Sequence, residues 1–152
     1  MIDVIHLKSF KDLFFLNQHS QISKRNLWDL IQYSKVVGSE YFNGNENVIG
    51  NTPQQGINWV GIAPFHQLVI IKTKVGKYFH DGYENNQCFS YSFKSQKGII
   101  NENETANKCI IYQKKYKYPI LLLKEDGKNW NVEGYFNVSE IFDEYVRMLK
   151  II

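Results

Sequence analysis

The most informative stretch of the chain is residues 80–98, which read His-Asp-Gly-Tyr-Glu-Asn-Asn-Gln-Cys-Phe-Ser-Tyr-Ser-Phe-Lys-Ser-Gln-Lys-Gly. Within it, Phe89, Tyr91 and Phe93 alternate with serines. Alternation with a period of two is typical of a β-strand, because successive side chains point to opposite faces of the sheet. The pattern therefore predicts a strand over Cys88–Phe93 whose three aromatic side chains share one face.

Strands dominate the chain around this stretch. Runs rich in β-branched and aromatic residues predict five more of them, over Ile57–Ile62, Gln67–Lys74, Lys108–Gln113, Ile120–Lys124 and Trp130–Val138. The last two are separated by Glu125-Asp-Gly-Lys128, which predicts a tight hairpin turn because Asp-Gly readily adopts positive φ angles. The segment from Glu40 to Gln55 is rich in glycine, asparagine and proline, and it predicts a long loop.

Helices are predicted on both sides of the strands. Lys24–Val36 has apolar residues at helical spacing, and Ser23 is suited to cap its N-terminus. Glu140–Leu149 has the same spacing after Ser139, and a short helix is predicted over Phe10–Leu16. This order of elements predicts an α+β fold: a curved, mostly antiparallel sheet or an open β-barrel, with flanking N- and C-terminal helices.

The composition is that of a globular protein. Hydrophobic residues make up 43% of the 152 residues and charged residues 22%, which excludes a disordered or fibrous chain. A chain of this length favours one domain over residues 1–152. The longest apolar runs, Leu68–Ile71 and Pro119–Leu123, are far shorter than the roughly 18–20 residues of a membrane-spanning helix.

Cysteines and histidines are too few or too scattered to suggest a metal site. Cys88 and Cys109 cannot form a disulfide framework or a four-ligand zinc site, and the four histidines lack ligand spacing. The N-terminus has no charged region and no small-residue cleavage site typical of a secretory signal. We therefore expect a reduced, cytoplasmic protein with no cofactor and no membrane partner.

Catalytic motifs are absent from the sequence. It contains no P-loop and no Gly-x-Ser-x-Gly motif. Glu125, Asp126 and Lys128 are residue types that a metal-dependent nuclease needs, but the same residues form a hairpin-turn sequence, and no acid precedes them on a neighbouring strand. We therefore expect a protein that is not an enzyme.

The charge distribution indicates a polyanionic partner. The net charge is +3, and Tyr112–Tyr118 interleaves lysines with tyrosines. Lysines bind phosphates and aromatic rings stack on bases, so Lys114, Lys115 and Lys117 are candidate contacts to a DNA backbone. Lysines on an exposed strand edge also discourage aggregation, and this second interpretation of the segment stays open.

Several motifs, in a characteristic order, resemble the core of SRA (YDG) domains, which are PUA-like modules that read modified cytosine in DNA. Gly82-Tyr83-Glu84-Asn85-Asn86 and Phe89-Ser90-Tyr91-Ser92 are similar to two pocket motifs of that family. The similarity covers residues 48–138, and its further segments are Gly50–Pro53, Trp59–Ile62, Asn107–Ile110, Tyr118–Leu123 and Val132–Val138.

The resemblance implies that the domain flips a base out of duplex DNA into an aromatic pocket. Tyr83 and Tyr91 would stack on the base. Asn86 is the best positional match for the aspartate that accepts a hydrogen bond from the base amine, with Asn85 and Asp81 as alternatives, and Ser92 replaces a threonine. The residues expected to hold the flanking phosphates are Lys94, Ser95, Gln96 and Lys97.

The implied function is recognition of a modified base, such as 5-methylcytosine, in double-stranded DNA by a module of a restriction or phage-defence system. A nuclease or motor domain or subunit would supply catalysis. Three alternatives stay open. One is a B3-like domain that reads unmodified sequence without flipping, although the sequence has only two arginines, Arg25 and Arg147. Another is a PUA-like RNA-binding protein or an enzyme on that fold. In the third, the tyrosines simply pack in the core.

Overall fold

The computed structural model describes residues 2–62, 64–74 and 81–151. His80 at the start of the informative stretch lies outside the described residues. The elements in chain order are β1 (Gln21–Ser23), α1 (Lys24–Tyr33), β2 (Ile49–Gly50), β3 (Ile57–Ile62), β4 (Phe65–Thr73), β5 (Gly82–Asn85), β6 (Cys88–Ser92), β7 (Ser95–Gln96), β8 (Ile99–Ile100), α2 (Thr105–Tyr116), β9 (Ile120–Asp126), β10 (Asn129–Ile141) and β11 (Tyr145–Lys150). Short 3-10 helices cover Phe10–Phe14 and Asn45–Asn47.

One large sheet organises the described part of the chain. Its strand order is β2-β3-β4-β9-β10-β11-β6-β5. In addition, the short strand β1 pairs antiparallel with the first three residues of β10. Every pair is antiparallel except β4 with β9, whose parallel pairing matches Val69 with Ile120. Strands β7 and β8 form a separate hairpin. The predicted α+β fold with a mostly antiparallel sheet is confirmed, and the described strands do not close into a barrel.

The sheet has a hydrophobic core on each face. On one face the N-terminal segment and α1 cover residues such as Leu68, Leu121 and Val132. On the other face α2 packs on residues such as Ile71 and Phe136. The central strand β4 is buried on both faces from Leu68 onward, which accounts for its nearly continuous apolar sequence.

Several local predictions are confirmed. Helix α1 begins after Ser23, whose hydroxyl accepts a hydrogen bond from the backbone N–H of Asn26 at 3.0 Å. The turn between β9 and β10 is the expected hairpin: Asp126 pairs with Asn129, and Gly127 has a φ of +59°. The predicted helix over Phe10–Leu16 is a 3-10 helix over Phe10–Phe14. Neither α1 nor α2 is long and apolar enough to cross a membrane.

The strand predicted over Lys108–Gln113 is wrong, because this segment lies within α2. The buried residues of α2 are Ala106, Asn107, Cys109, Ile110 and Gln113. Such a spacing of three to four residues places side chains on one helical face. The polar side chains in this set satisfy hydrogen bonds inside the protein, so hydrophobicity alone did not reveal the helical period.

The C-terminal helix predicted over Glu140–Leu149 is also wrong. Strand β10 continues to Ile141, and β11 begins at Tyr145 after a short turn. In β11, Val146 and Met148 are buried between exposed or half-exposed residues, which is strand periodicity. Ser139 caps no helix; its hydroxyl donates to the backbone carbonyl of Arg147 on the neighbouring strand. Tertiary pairing with β6 and β10 therefore overrides the helical spacing.

Candidate functional site

A cavity of about 510 Å³ opens at one end of the sheet. Its walls come from the N-terminal part of α1, the loop Asn51–Gly56, the end of β4, the end of β6 and the first turn of α2. The volume falls within the range of roughly 300–1,000 Å³ that is typical of ligand pockets. The sheet therefore offers a concave site formed by segments that are distant in sequence.

The curvature of the sheet brings β3 and β6 together at this cavity. Five strand-to-strand steps separate them in the sheet, yet a Cβ atom on Gly56 would lie 3.2 Å from the hydroxyl of Tyr91 and 3.5 Å from the carbonyl oxygen of Lys72. The Gly56 carbonyl accepts a hydrogen bond from the Lys72 N–H at 2.8 Å. Glycine at position 56 thus allows the tyrosine to pack directly on the loop backbone.

Side chains from the loop and from β3 hold the loop Asn51–Gly56 in place. The Asn58 amide donates to the carbonyls of Gly50 and Thr52, each at 3.1 Å. The Asn51 amide donates to the Ile57 carbonyl at 3.0 Å. Asn51 has a φ of +70°, a conformation that asparagine tolerates better than most residues. This side of the cavity is therefore formed by a loop with a defined path.

Aromatic side chains form much of the cavity wall. Trp28 on α1 is 38% exposed, whereas Tyr91 on β6 is only 6% exposed and belongs to the core that α2 covers. Phe93 and Trp130 complete the aromatic lining. A wall of this kind suits a flat aromatic ligand, because rings stack on rings.

Lys72 is the most buried charged side chain of the cavity. Its residue is 8% exposed, and its ammonium group donates to the Pro53 carbonyl at 2.5 Å. Burial lowers the pKa of Lys72 from 10.5 to about 8, and the positive charges of Lys35 and Lys74 add to this effect. The cavity therefore has a donor group inside it that is held beside a backbone carbonyl.

The other lysines of the cavity pair with carboxylates. Lys24 forms an ion pair with Glu125, Lys74 lies 3.6 Å from the same carboxylate, and Lys94 lies 2.7 Å from Glu104. The contact with Lys24 holds the pKa of Glu125 below its usual value. Among the described residues, no group of three or more His, Cys, Asp or Glu side chains could hold a metal ion.

Asp81, Tyr91 and Ser92, which the resemblance suggested as base contacts, all line this cavity. A side-chain oxygen of Asp81 accepts a hydrogen bond from the Ser92 N–H at 2.7 Å. This bond ties the start of β5 to the end of β6. Asp81 is the only carboxylate among the described residues of the lining, so it is the negative group in a cavity with four lysines.

Lys94 and Ser95 also line the cavity. The fully buried Asn107 of α2 holds this segment: its side chain accepts from the Lys94 N–H at 2.8 Å and donates to the Lys94 carbonyl at 3.0 Å. Gln96 and Lys97 follow in the hairpin β7–β8, and Lys97 has a φ of +52° in its turn. These predicted phosphate contacts are therefore adjacent to the cavity.

Tyr83 and Asn86 are not among the residues that line the cavity. Tyr83 lies opposite Phe89 on the edge strand β5, and its hydroxyl donates to Glu133 at 2.8 Å. Burial and this carboxylate raise the pKa of Tyr83. Asn86 is exposed in the turn between β5 and β6, and the side chain of Asn85 accepts from Gln87 in that turn. Tyr83 and Tyr91 therefore do not face each other across the cavity.

Lys114, Lys115 and Lys117 lie at the other end of α2. Ala106, in the first turn of α2, lines the cavity. Lys114 is eight positions further along the helix, which corresponds to about 12 Å along its axis. Lys114 and Lys117 instead line a second, shallower cleft of about 370 Å³. These lysines are thus on a different part of the surface from the cavity.

Sequence reasoning missed Lys72, Trp28 and the loop around Gly56. One signal was present: Lys72 follows the apolar run Leu68–Ile71 inside a predicted strand, where a charged residue is unusual. No comparable signal identified Trp28, because its α1 position is half-exposed and the cavity forms only when α1 packs beside β4.

Comparison with solved structures identifies the class of fold as SRA-like. The SRA domain of SUVH5, solved in complex with hemi-methylated CG DNA, is 16% identical with a TM-score of 0.54, and the match covers 65% of this chain and 74% of that one. The DNA recognition domain of the cytosine modification-dependent restriction endonuclease LpnPI is 13% identical with a TM-score of 0.56, covering 96% of this chain and 78% of that one.

A third similar structure is the DNA modification-dependent restriction endonuclease AspBHI. It is 10% identical with a TM-score of 0.59, and the match covers 97% of this chain but 45% of that one. No family model matches the sequence, and no curated protein matches it. At these identities the similarity establishes the fold, which agrees with the resemblance that the sequence motifs carried.

Proposed function

We propose that this chain is a DNA-recognition module that reads a modified base in duplex DNA by flipping it into the cavity at the end of the sheet. The observation that carries the proposal is the joint position of Asp81, Tyr91 and Ser92 in one aromatic, lysine-rich cavity of an SRA-like fold. Two structures with this fold are a domain bound to hemi-methylated DNA and a recognition domain of a modification-dependent endonuclease.

The cavity has the chemistry that a flipped base requires. A base outside the duplex loses its stacking and pairing, which costs a few kcal/mol, and aromatic side chains together with hydrogen bonds offset that loss. Tyr91 offers a ring to stack on the base, and Trp28 offers a second ring from α1. Asp81 offers an acceptor for the exocyclic amine of a cytosine, and Ser92 a hydroxyl.

In this proposal the acceptor role falls to Asp81, rather than to Asn86 or Asn85, because only Asp81 lines the cavity. Tyr83 contributes from outside, by packing against Phe89 at a centroid distance of 5.0 Å. The flanking phosphates are bound by Lys94, Ser95, Gln96 and Lys97. Lys114, Lys115 and Lys117 are more distant and would contact DNA only beyond the flipped nucleotide.

The module carries no catalytic role of its own in this proposal. It supplies recognition to a nuclease or motor domain or subunit of a cytoplasmic restriction system that acts in phage defence. The similarity to AspBHI, in which the match covers less than half of that chain, supports this division of labour. One domain over residues 1–152 is sufficient for the recognition step.

An equilibrium titration against matched duplexes tests the proposal. The duplexes carry one unmodified cytosine, 5-methylcytosine, 5-hydroxymethylcytosine or N6-methyladenine, each at two salt concentrations. We expect one modified duplex to bind at least about tenfold more tightly than the unmodified one, which corresponds to about 1.4 kcal/mol. Asp81→Asn should reduce this ratio to below about threefold, because the amide no longer presents two acceptor oxygens.

Asn86→Asp is the matched control, since it adds a carboxylate outside the cavity and should leave the ratio unchanged. Equal, strongly salt-dependent binding to all four duplexes would contradict the proposal and favour the B3-like alternative. Tighter binding of single-stranded RNA than of any duplex at equal salt would favour a PUA-like RNA-binding protein.

A further inference from the structure

Exposed apolar side chains lie together at the turn between β3 and β4. Ile62 and Phe65 pair across this turn and are 76% and 74% exposed. The ring of Phe65 contacts the ring of Tyr116 near the end of α2, with 5.5 Å between the centroids and 69° between the planes. Ile62, Phe65 and Tyr116 together form the Phe65 patch. Single exposed apolar side chains are common on proteins, whereas neighbouring ones mark interaction sites.

The Phe65 patch is remote from the cavity. Ile57, which lines the cavity, is five residues before Ile62 on β3, and this spacing corresponds to about 16 Å. Helix α2 leads away from the cavity in the same manner: Tyr116 is ten residues after the cavity-lining Ala106, or about 15 Å further along the helix axis. A duplex bound at the cavity would therefore lie at the other end of these elements from the Phe65 patch.

Three exposed lysines of the same segment border the Phe65 patch: Lys114, Lys115 and Lys117. The ammonium of Lys115 lies 5.3 Å from the centroid of the Tyr116 ring, so a positive charge is in direct contact with the patch. Within the described part of the chain, none of the three lysines forms an ion pair. Lysines near the C-terminus of a helix interact favourably with its dipole, but this does not account for the exposed apolar residues beside them.

We propose that the Phe65 patch and its three lysines form the docking surface for an acidic segment of a protein partner, whose apolar side chains cover the patch and whose carboxylates pair with the lysines. Protein interfaces combine an aromatic, apolar centre with a polar rim, and complementary charges orient the partner. The inference rests on the proposed function in one respect, namely that the partner is the domain or subunit to which the module supplies recognition. Base recognition and docking then use opposite ends of the same strands.

Two other occupants fit this surface less well. A second copy of this chain, packed about a two-fold axis, would bring the lysines of both copies together, and like charges at an interface disfavour association. Duplex DNA would satisfy the lysines through its phosphates, but phosphates gain nothing from an exposed isoleucine and phenylalanine at the tip of a hairpin. An acidic protein segment with apolar side chains is complementary to both parts of the surface.

Peptide selection on the full chain tests the inference. A library of random peptides displayed on phage is first depleted on immobilised Phe65→Ser protein and then selected on the wild type, so that the retained peptides depend on Phe65. We expect these peptides to contain glutamate or aspartate beside large apolar residues. Retained peptides without an excess of acidic residues, or no retained peptides at all, would overturn the inference.

Titration of the most enriched peptide, labelled with fluorescein and followed by anisotropy, measures the contribution of each side chain. Phe65→Ser should weaken binding at least about tenfold because it removes an aromatic anchor. Lys115→Glu should weaken it at least about fivefold because repulsion replaces attraction, and a peptide whose acidic residues are replaced by lysines should prefer this variant to the wild type.

The matched controls are Phe15→Ser and Lys11→Glu, which change exposed residues of the N-terminal segment. They should alter the affinity for the peptide by less than about twofold, because neither residue belongs to the docking surface. Equal effects of the patch variants and the control variants would overturn the inference. Circular dichroism verifies that each variant is folded.

Duplex binding by the same variants separates this inference from the proposed function. Phe65→Ser and Lys115→Glu should keep the affinity ratio of modified to unmodified duplexes within about twofold of the wild-type ratio, because they are distant from the cavity. A wild type without such a ratio would contradict the proposed function, and the peptide titration would still decide the inference.

Two further outcomes would overturn the inference and assign the surface to another occupant. A loss of duplex affinity of at least about tenfold in both patch variants would assign it to DNA. A monomer–dimer equilibrium that is measured by sedimentation and abolished by Phe65→Ser would assign it to a second copy of this chain.

Discussion

Replacement of Lys72 by methionine should stabilise the fold. Burial lowers the pKa of Lys72 from 10.5 to about 8, so holding the charged form in the cavity costs about 3 kcal/mol near neutral pH. Methionine removes this cost and also removes the hydrogen bond to Pro53, which contributes about 1 kcal/mol. We therefore expect the free energy of unfolding of Lys72→Met to exceed that of the wild type by about 2 kcal/mol at pH 7.

The pH dependence provides a second signature of the same cause. Because the pKa of Lys72 is lower in the folded state, the unfolded state binds more protons between about pH 8 and 10.5, and stability rises with pH in this window. From pH 7 to pH 9 the wild type should gain about 1 kcal/mol relative to Lys72→Met. Tyrosines whose pKa burial raises, such as Tyr135, contribute equally to both proteins, so they cancel in this difference.

Urea unfolding followed by tryptophan fluorescence, at pH 7 and pH 9 for both proteins, measures all four free energies. Lys114→Met serves as a control, because this lysine is exposed and its replacement should change stability by less than about 0.5 kcal/mol. A Lys72→Met variant less stable than the wild type at pH 7, or an equal pH response of the two proteins, would refute the reasoning. The ammonium would then be stabilised by the protein rather than merely tolerated by it.

Two further substitutions examine how the cavity is held together. Asn107→Ala should lower the free energy of unfolding by about 2–3 kcal/mol, measured by urea unfolding, because it leaves the Lys94 backbone groups without their buried partner. Asn107→Asp keeps the acceptor but places a buried carboxylate against the carbonyls of Lys94 and Asn101, so it should cost at least as much; a loss below about 0.5 kcal/mol for Asn107→Ala would contradict this account. Gly56→Val should destabilise by about 1–3 kcal/mol and weaken modified-DNA binding by crowding Tyr91, whereas unchanged binding would place Tyr91 outside the contact.

Local sequence patterns correctly predicted the strands and turns in which the spacing of residue types is unambiguous. The alternation of Phe89, Tyr91 and Phe93 predicted β6, and the Asp-Gly turn predicted the hairpin of β9 and β10. They failed for α2, where buried polar residues hide the helical period, and for β11, where apolar residues fit a helix as well as a strand. In both cases, whether the segment forms a helix or a strand depends on contacts with residues distant in sequence, and a local pattern does not include those residues.

The cavity likewise combines residues that a local motif identified with residues that only the tertiary structure brings together. Asp81, Tyr91 and Ser92 lie within twelve residues of one another, so one motif contained them, and the resemblance it carried led to the correct fold. Lys72, Trp28 and Gly56 come from β4, α1 and a loop that the curvature of the sheet brings to β6. Likewise the register of β5 on β6 directs Tyr83 toward Glu133 instead of the cavity. Residue types were readable along the chain, but which of them share one cavity was decided by long-range strand pairing and packing.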